Sequence, residues 1–219
     1  MKIAVISDVH SNYTALKAVL EDMPAVDYLF CAGDITGYHR RVNEVIDLLK
    51  EAGVRMILGN HDYYLIHGFF HPPSPIIARS AAYTLAHITA ENLALIKCLP
   101  QSLMLKIDGL TVHLFHGSPM DPLREYVFTD SPRLLQCSKA PGRIIIMGHT
   151  HRPFLKKIAD KWILNPGSVG LPRGDITQAS YAIIDTGLMS IDINFVDCFE
   201  EFNWDESLIT PRYADVVDE

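Results

Sequence analysis

The pattern that decides the fold begins at Lys2-Ile3-Ala4-Val5-Ile6-Ser7-Asp8-Val9-His10, an apolar run that ends in an aspartate and a histidine. A short apolar run of this kind predicts a buried strand. Residues 27–32 and 54–58 repeat it, whereas residues 12–23 and 41–52 have the apolar period of amphipathic helices. Because strands and helices alternate, this half of the chain predicts a parallel sheet with right-handed crossovers.

Polar side chains follow each of the three predicted strands directly. They lie in Asp8-Val9-His10, in Gly33-Asp34 and in Gly59-Asn60-His61-Asp62. Ligands collect at the carboxyl ends of the strands in parallel sheets, and these ends meet at one edge. Three distant segments are therefore expected to deliver carboxylate, imidazole and amide groups to the same place.

The second half of the chain has a different pattern. Residues 63–100 are less regular and predict one or two helices outside the sheet. Further on, Asp108-Gly109, residues 159–161 and residues 185–187 are each flanked by strand-like segments, which predicts three hairpins. An additional strand is expected at residues 143–147. Antiparallel strands therefore dominate this half.

Together the two halves predict an α/β fold, a four-layer α-β-β-α sandwich with two mixed β-sheets packed face to face and helices outside. The 219 residues, 48% of them hydrophobic, are enough for one core, so residues 1–219 are expected to form a single domain. Residues 196–219 form an acidic C-terminal extension, either a tail or a helix against the fold, to which no catalytic role is assigned.

Composition restricts the partners of the chain. A formal net charge of -7 excludes general electrostatic attraction to bulk nucleic acid or anionic membranes. A polyanionic substrate would need local positive charge, for which bound metal is the obvious source. No apolar run approaches membrane-spanning length, and the run after Met1 is too short for a signal peptide. The expected location is the cytoplasm, and the widely spaced cysteines, expected to be mostly buried free thiols, favour a reducing compartment.

A further polar segment, Gly148-His149-Thr150-His151, follows the apolar run at residues 144–147. Side chains alternate in an extended segment, so His149 and His151 are expected to point the same way and Thr150 away from them. Two histidines at this spacing are also common as packed or surface residues. The metal-binding interpretation therefore depends on the upstream segments.

Taken in order, the polar segments resemble the signature of the calcineurin-like metallophosphoesterase superfamily. That signature is Asp-x-His, Gly-Asp, Gly-Asn-His-Asp/Glu, a His followed by Gly, and Gly-His-x-His. The matching segments are Asp8-Val9-His10, Gly33-Asp34, Gly59-Asn60-His61-Asp62, His116-Gly117 and Gly148-His149-Thr150-His151. Amidohydrolase barrels, the nearest competing pattern, would begin with His-x-His and end with a lone Asp. Caps, turns or ion pairs would explain most of these residues singly, but jointly they would require five coincidences.

The resemblance implies a site with two divalent transition-metal ions. The implied ligands are Asp8, His10 and His151 for the first ion, Asn60, His116 and His149 for the second, and Asp34 as the bridge. Ions about 3.5 to 4 Å apart would activate a bridging water, and the resulting hydroxide would attack phosphorus in line. His61 would act with Asp34 as a catalytic residue, stabilising phosphate charge or protonating the leaving oxygen. Asp62 would orient His61 or its loop.

The ligand types restrict the metal. Carboxylate, imidazole and amide ligands suit Mn, Fe, Zn, Ni or Co better than Ca, and Mn is the expected ion. The absence of a cysteine ligand argues against a structural zinc site.

Smaller similarities, at residues 33–38, 116–126 and 165–173, resemble small prokaryotic phosphodiesterases and diadenosine tetraphosphatases. The chain departs from that branch at His39-Arg40-Arg41, where Gly-Pro is expected, and at Gly174-Asp175. Both departures border the expected substrate mouth, so the substrate cannot be carried over from the branch.

Four residues are candidates for substrate binding. Arg173 and Arg40 are candidates for contact with a second phosphate, and a solvated surface arginine is the alternative for Arg40. Tyr38 and Tyr126 are candidates for stacking on a base, and simple packing is their alternative. Histidines outside the signature are expected to be packed or at the surface: His39, His67, His71, His87 and His113.

The sequence therefore predicts an enzyme that hydrolyses a small phosphodiester, phosphomonoester or nucleotide, with homo-oligomer formation left open. One alternative is a scaffold that keeps the fold for protein binding, as the retromer subunit of this superfamily does. The intact ligand set disfavours it. The other alternative is a protein phosphatase, although such domains are usually larger.

Overall fold

The computed structural model describes residues 1–198, so the predicted acidic extension lies outside the described residues from residue 199 onward. The first half contains β1 (Lys2–Ile6), α1 (Tyr13–Asp22), β2 (Tyr28–Cys31), α2 (Val42–Glu51), β3 (Arg55–Met56), α3 (Asn60–His67), α4 (Pro75–His87) and α5 (Ala90–Lys97). The second half contains β4 (Ser102–Ile107), β5 (Leu110–Phe115), α6 (Leu134–Cys137), β6 (Ile144–Ile146), β7 (Phe154–Ile158), β8 (Lys161–Asn165), β9 (Ala179–Asp185) and β10 (Ser190–Val196).

The first sheet has the strand order β10-β9-β1-β2-β3. Strands β1, β2 and β3 are parallel, as the alternating pattern predicted, and Ile3 pairs with Tyr28 in this register. The hairpin of β9 and β10 completes the sheet, with β9 antiparallel to β1 and β10 antiparallel to β9. Strand β3 is shorter than predicted because only Arg55 and Met56 pair with β2.

The second sheet has the order β4-β5-β6-β8-β7 and is also mixed. The predicted Asp108-Gly109 hairpin is confirmed, since both residues have positive φ, as a two-residue type I′ turn requires. The next hairpin is tighter than predicted because Lys161 pairs with Ile158. The third hairpin is wider than predicted because β10 begins only at Ser190, which pairs with Asp185 and leaves residues 186–189 as the loop.

The side chains on the two faces of β1 pack into two different layers of the core. Ile3 and Val5 pack between the sheets with Val112 and Ile146 of the second sheet. The opposite face of β1 packs against α1, α2 and α5. Burial of both faces explains why the strand is continuously apolar.

The outer layers are unequal. Helices α1, α2 and α5 cover the first sheet, whereas Leu134 and Cys137 of the single-turn helix α6 pack on Ile145 and Ile163 of the second. The predicted four-layer sandwich is confirmed, with a thin fourth layer. Within residues 1–198, no helix is both long and apolar enough to cross a membrane.

The four cysteines are free thiols, as predicted. Cys31 and Cys137 are buried, whereas Cys98 is exposed and Cys198 is partly exposed. The expectation that most of them are buried therefore holds for only two.

Candidate metal centre

Seven predicted ligands meet at the edge where strands of both sheets end. Asp8 and His10 follow β1, Asp34 follows β2, Asn60 begins α3, His116 follows β5, and His149 and His151 follow β6. All seven side chains are buried. Segments far apart in the sequence thus supply one buried cluster of carboxylate, imidazole and amide groups.

The backbone is strained at most of these positions. Positive φ angles between 50° and 67° occur at Asp8, His10, Asp34, His149 and His151. Each such non-glycine conformation costs of order 1–3 kcal/mol and is typical of functional sites. The prediction of an extended segment at residues 148–151 is wrong, because left-handed residues turn both imidazoles toward the centre.

The ligand atoms of Asp8, His10, Asp34 and His151 form the first group, all within 4.8 Å of one another. The Nε2 atoms of His10 and His151 are 3.2 Å apart. His151 Nε2 lies 3.3 Å from Asp8 Oδ1, and His10 Nε2 lies 3.7 Å from Asp34 Oδ2. This group combines β1 and β2 of the first sheet with the β6 end of the second.

The second group consists of Asp34, His116 and His149, again within 4.8 Å. His116 Nε2 is 3.4 Å from Asp34 Oδ2, 3.1 Å from His149 Nδ1 and 2.9 Å from the amide oxygen of Asn60. Asp34 Oδ2 therefore faces both groups. Its other oxygen, Oδ1, accepts a 2.8 Å hydrogen bond from the backbone N–H of His61, which fixes the carboxylate.

Backbone carbonyls fix the tautomers of the four imidazoles. The outward nitrogens donate to the carbonyl oxygens of Thr36 (from His10), Ala32 (from His116), Arg124 (from His149) and Leu171 (from His151), over 2.5 to 3.2 Å. In a neutral ring this leaves a lone pair on each inward nitrogen. Inward lone pairs that face one another at 3.1 to 3.2 Å repel unless a cation or a proton lies between them.

Asp8 provides a second test of whether the residues fit a cation. Its Oδ2 accepts from the backbone N–H of His149 at 3.1 Å, but within residues 1–198 no hydrogen-bond donor reaches its buried Oδ1. Burial raises the pKa of Asp8 to about 7. A buried, unpaired carboxylate oxygen is costly, and a bound cation would satisfy it. The residues present therefore fit metal ions.

Three of the four imidazoles are in the neutral form that binds metal. Burial holds the pKa values of His10, His149 and His151 well below the usual range, so these rings are neutral. Burial also opposes the charge of His116, but Asp34 and Asp8 raise its pKa to about 9. A proton on His116 thus occupies the place that a cation would take.

Comparison with known proteins identifies the family. The model of the calcineurin-like phosphoesterase superfamily domain matches residues 1–188. The chain belongs to this superfamily. The resemblance predicted from the five ordered segments is confirmed, and this family membership supports the prediction of a metal-dependent phosphoesterase.

Relatives of this phosphoesterase chain span most of its length. An uncharacterized protein of Methanocaldococcus jannaschii is 35% identical over 213 residues, covering 87% of this chain and 85% of the relative. Phosphodiesterase YfcE of Escherichia coli is 24% identical over 172 residues, 74% of this chain and 90% of that protein. The crystal structure of a metallophosphoesterase from Sphaerobacter thermophilus has a TM-score of 0.77 and 31% identity, covering 91% of this chain and 90% of that one.

His61, the predicted catalytic histidine, is buried beside the first group of ligand atoms. Its ring centroid lies 4.9 Å from that of His10 and 4.8 Å from that of Tyr38. Gly37, with φ +93°, leaves room for the ring, because a Cβ there would lie 2.6 Å from His61 Nδ1. The position of His61 is therefore fixed by close packing on several sides.

Asp62 organises the loop rather than the His61 ring. Its carboxylate accepts from the backbone N–H of Gly59 at 3.0 Å, from that of Ile35 at 3.2 Å and from that of Thr36 at 2.9 Å. It thus ties the start of α3 to the loop that carries Asp34.

The predicted substrate contacts divide into two sets. Arg173 is partly buried and donates from Nη2 to the hydroxyl of buried Tyr38 at 3.4 Å. Tyr126 stacks on His149, so these three side chains lie at the centre. Arg40 is exposed, and its guanidinium carbon lies 5.5 Å from the ring centroid of Tyr83 on α4.

Sequence reasoning missed the role of Asn165. Its Nδ2 donates to Gly148 O at 2.7 Å and to Thr150 Oγ1 at 3.0 Å, which holds the segment bearing His149 and His151. Its position directly at the end of β8 was an available signal. The carbonyls that orient the imidazoles had no signal, because every residue carries one.

Proposed function

We propose that this chain is a binuclear metal-dependent phosphoesterase that hydrolyses a small phosphodiester, phosphomonoester or nucleotide. The proposal rests on one observation: two buried groups of ligand atoms share a single carboxylate, Asp34. Two ions that share a carboxylate are typical of enzymes that displace a leaving oxygen in line at phosphorus.

The ligand assignment follows the two groups. Asp8, His10 and His151 would hold the first ion, Asn60, His116 and His149 the second, and Asp34 would bridge them. When bound, the ions would supply a nucleophilic hydroxide from a bridging water and neutralise charge on the phosphate oxygens. Mn is the proposed metal, with Fe, Zn, Ni and Co as alternatives, since the donor set mixes oxygen with imidazole nitrogen.

The chain's own residues would position the substrate and the proton. His61 lies beside the first group, and burial lowers its pKa, which keeps the ring neutral. Its N–H would donate to a charged phosphate oxygen, and it would pass that proton to the leaving oxygen as its other nitrogen takes up a proton from water. The backbone N–H of His61 orients Asp34. Arg173, next to Tyr38, is the proposed contact for a phosphate oxygen.

The domain organisation and the location of the protein are also proposed. We propose that residues 1–219 act as a single domain in the cytoplasm, which agrees with four free thiols. A non-catalytic scaffold would not need the costly burial of seven polar ligands. A protein phosphatase would hydrolyse phosphopeptides in preference to nucleotides, which a substrate screen separates.

The test is hydrolysis of bis-p-nitrophenyl phosphate by the metal-loaded protein, with Mn, Fe, Zn, Ni and Co each supplied in turn. Asp34→Asn should abolish turnover and reduce metal content. Asp192→Asn, an exposed aspartate on β10, is the matched control and should behave as wild type. No turnover with any metal, together with no effect of Asp34→Asn on metal content, would refute the proposal.

A further inference from the structure

An exposed aromatic ring lies directly on one of the proposed ligands. Tyr126 stacks on the imidazole of His149, with ring centroids 3.7 Å apart and planes 25° apart. Tyr126 is nevertheless 47% exposed, so part of its ring remains open to solvent. Covering an aromatic face with another flat group is favourable, which makes this ring a surface on which a ligand can stack.

Two more aromatic rings lie near His61, one on α3 itself and one just after its end. The Tyr64 ring is 5.6 Å from His61 and 4.9 Å from Phe69, which is 38% exposed. Arg124 joins this side to the Tyr126 side: its carbonyl accepts from His149 Nε2 at 3.2 Å, and its guanidinium carbon lies 5.1 Å from the ring of Phe70, which is 5.6 Å from that of Tyr64. Tyr64, Phe69 and Tyr126 are called the aromatic rim below.

Two guanidinium groups lie next to rings that neighbour the aromatic rim, Phe70 beside Tyr64 and Phe128 beside Tyr126. The Cζ of Arg124 lies 5.1 Å from the Phe70 ring, and that of Arg152 lies 5.5 Å from the Phe128 ring. Arg124 is paired with Asp121, but among residues 1–198 no carboxylate lies within ion-pair distance of Arg152. A guanidinium stacked on a ring keeps its N–H groups free at the edge, where they can contact phosphate oxygens.

Resting on the proposed phosphoesterase function, we propose that the substrate is a nucleotide whose base stacks on the aromatic rim. Its phosphate would then reach the metal centre between His149 and His61. Flat rings and nearby guanidinium groups match a base and its phosphates, and stacking tolerates any base because each has a π face. A substrate without a flat group would leave Tyr126 and Phe69 exposed.

Binding of adenosine 5′-monophosphate and of ribose 5-phosphate tests the proposal, because these compounds differ only in the base. Their dissociation constants would be measured by calorimetry on the Mn-loaded full-length protein. We expect the nucleotide to bind roughly 5- to 150-fold more tightly, the range of a stacked base. Equal dissociation constants would overturn the proposal.

Parallel turnover of bis-p-nitrophenyl phosphate distinguishes the two proposals. Turnover with equal dissociation constants rejects only the nucleotide preference. A preference for the nucleotide without turnover supports the aromatic rim and counts against the hydrolytic function.

Variants test whether the aromatic rim causes the tighter binding of the nucleotide. Tyr126→Leu and Phe69→Leu should each reduce the ratio of the two dissociation constants to below about threefold, since the stacking surface is lost. Phe195→Leu is the matched control, because Phe195 is 46% exposed on β10. Metal content is measured in Tyr126→Leu, since this ring contacts His149. An unchanged ratio in both rim variants would contradict the proposal.

Discussion

The Nε2 atoms of His10 and His151 face each other at 3.2 Å, although each ring already donates its other proton to a backbone carbonyl. Neither nitrogen has a hydrogen to place between them in the neutral rings. A cation that accepts both lone pairs removes this repulsion. The arrangement of these two side chains therefore fits the proposed metal site, with both imidazoles already oriented toward the ion.

Removal of either histidine that follows β6 should change the metal content. His149→Ala and His151→Ala are each expected to lower the bound metal from two ions per chain toward one, because each variant removes a ligand from a different group. Elemental analysis of the purified, metal-loaded protein measures this. His113→Ala, whose imidazole is bonded to Pro141 O, should keep both ions. Full occupancy in either ligand variant would disprove the assignment.

Gly37→Ala should slow the reaction without loss of metal. Both Gly37 and Gly53 have positive φ, so alanine at either position costs about 1–2 kcal/mol of stability. Only at Gly37 would the new Cβ meet a ring atom, His61 Nδ1, at 2.6 Å, whereas nothing lies within 4 Å at Gly53. Steady-state kinetics should therefore show a lower kcat for Gly37→Ala than for Gly53→Ala. Equal kcat values would argue against a catalytic role for His61.

Loss of the Asn165 amide should weaken both the fold and the metal site. Asn165→Ala leaves the carbonyl of Gly148 without its buried donor, which should cost about 1–3 kcal/mol in the free energy of unfolding by urea. Metal affinity should also fall about 10- to 100-fold, as is typical when a group that supports the ligands is lost. Asn194→Ala on β10 is the control. A stable variant with wild-type affinity would show that the amide is dispensable.

Metal binding should strengthen as pH rises. Before metal binds, burial gives Asp8 a pKa of about 7, and the carboxylates give His116, despite its burial, a pKa of about 9. Metal ions compete with protons for these atoms, so affinity should fall about tenfold per pH unit for each displaced proton as the pH drops below these values. Calorimetry in buffers of different ionisation enthalpy should detect proton release near pH 8. An affinity that is constant from pH 6 to 9 would exclude this competition.

The sequence was sufficient for the parts of the fold that have their own periodicity. The apolar run after Met1 predicted β1 correctly, because a strand that is buried on both faces requires such a run. The helical period of residues 42–51 predicted α2, because only one face of that helix is buried. The pairing of β9 with β1 could not be predicted, since strands far apart in sequence are matched by the assembled core.

The candidate site was predictable in its side chains but not in its backbone. The positive φ of His149 depends on contacts such as the hydrogen bond from its N–H to Asp8 Oδ2, which joins residues 141 positions apart. Likewise, no residue type marks Thr36 or Leu171 as the carbonyl that orients an imidazole. Long-range partners of the main chain determine these details.

Each group of ligand atoms draws on both sheets: Asp34 comes from the first, and His149 or His151 from the second. Bound ions would therefore cross-link the two sheets at this edge, as a disulfide can join two layers. The edge where chemistry is proposed to occur would then also be a seam that resists separation of the sheets. In such a protein, starvation for metal would threaten the integrity of the molecule as well as its turnover.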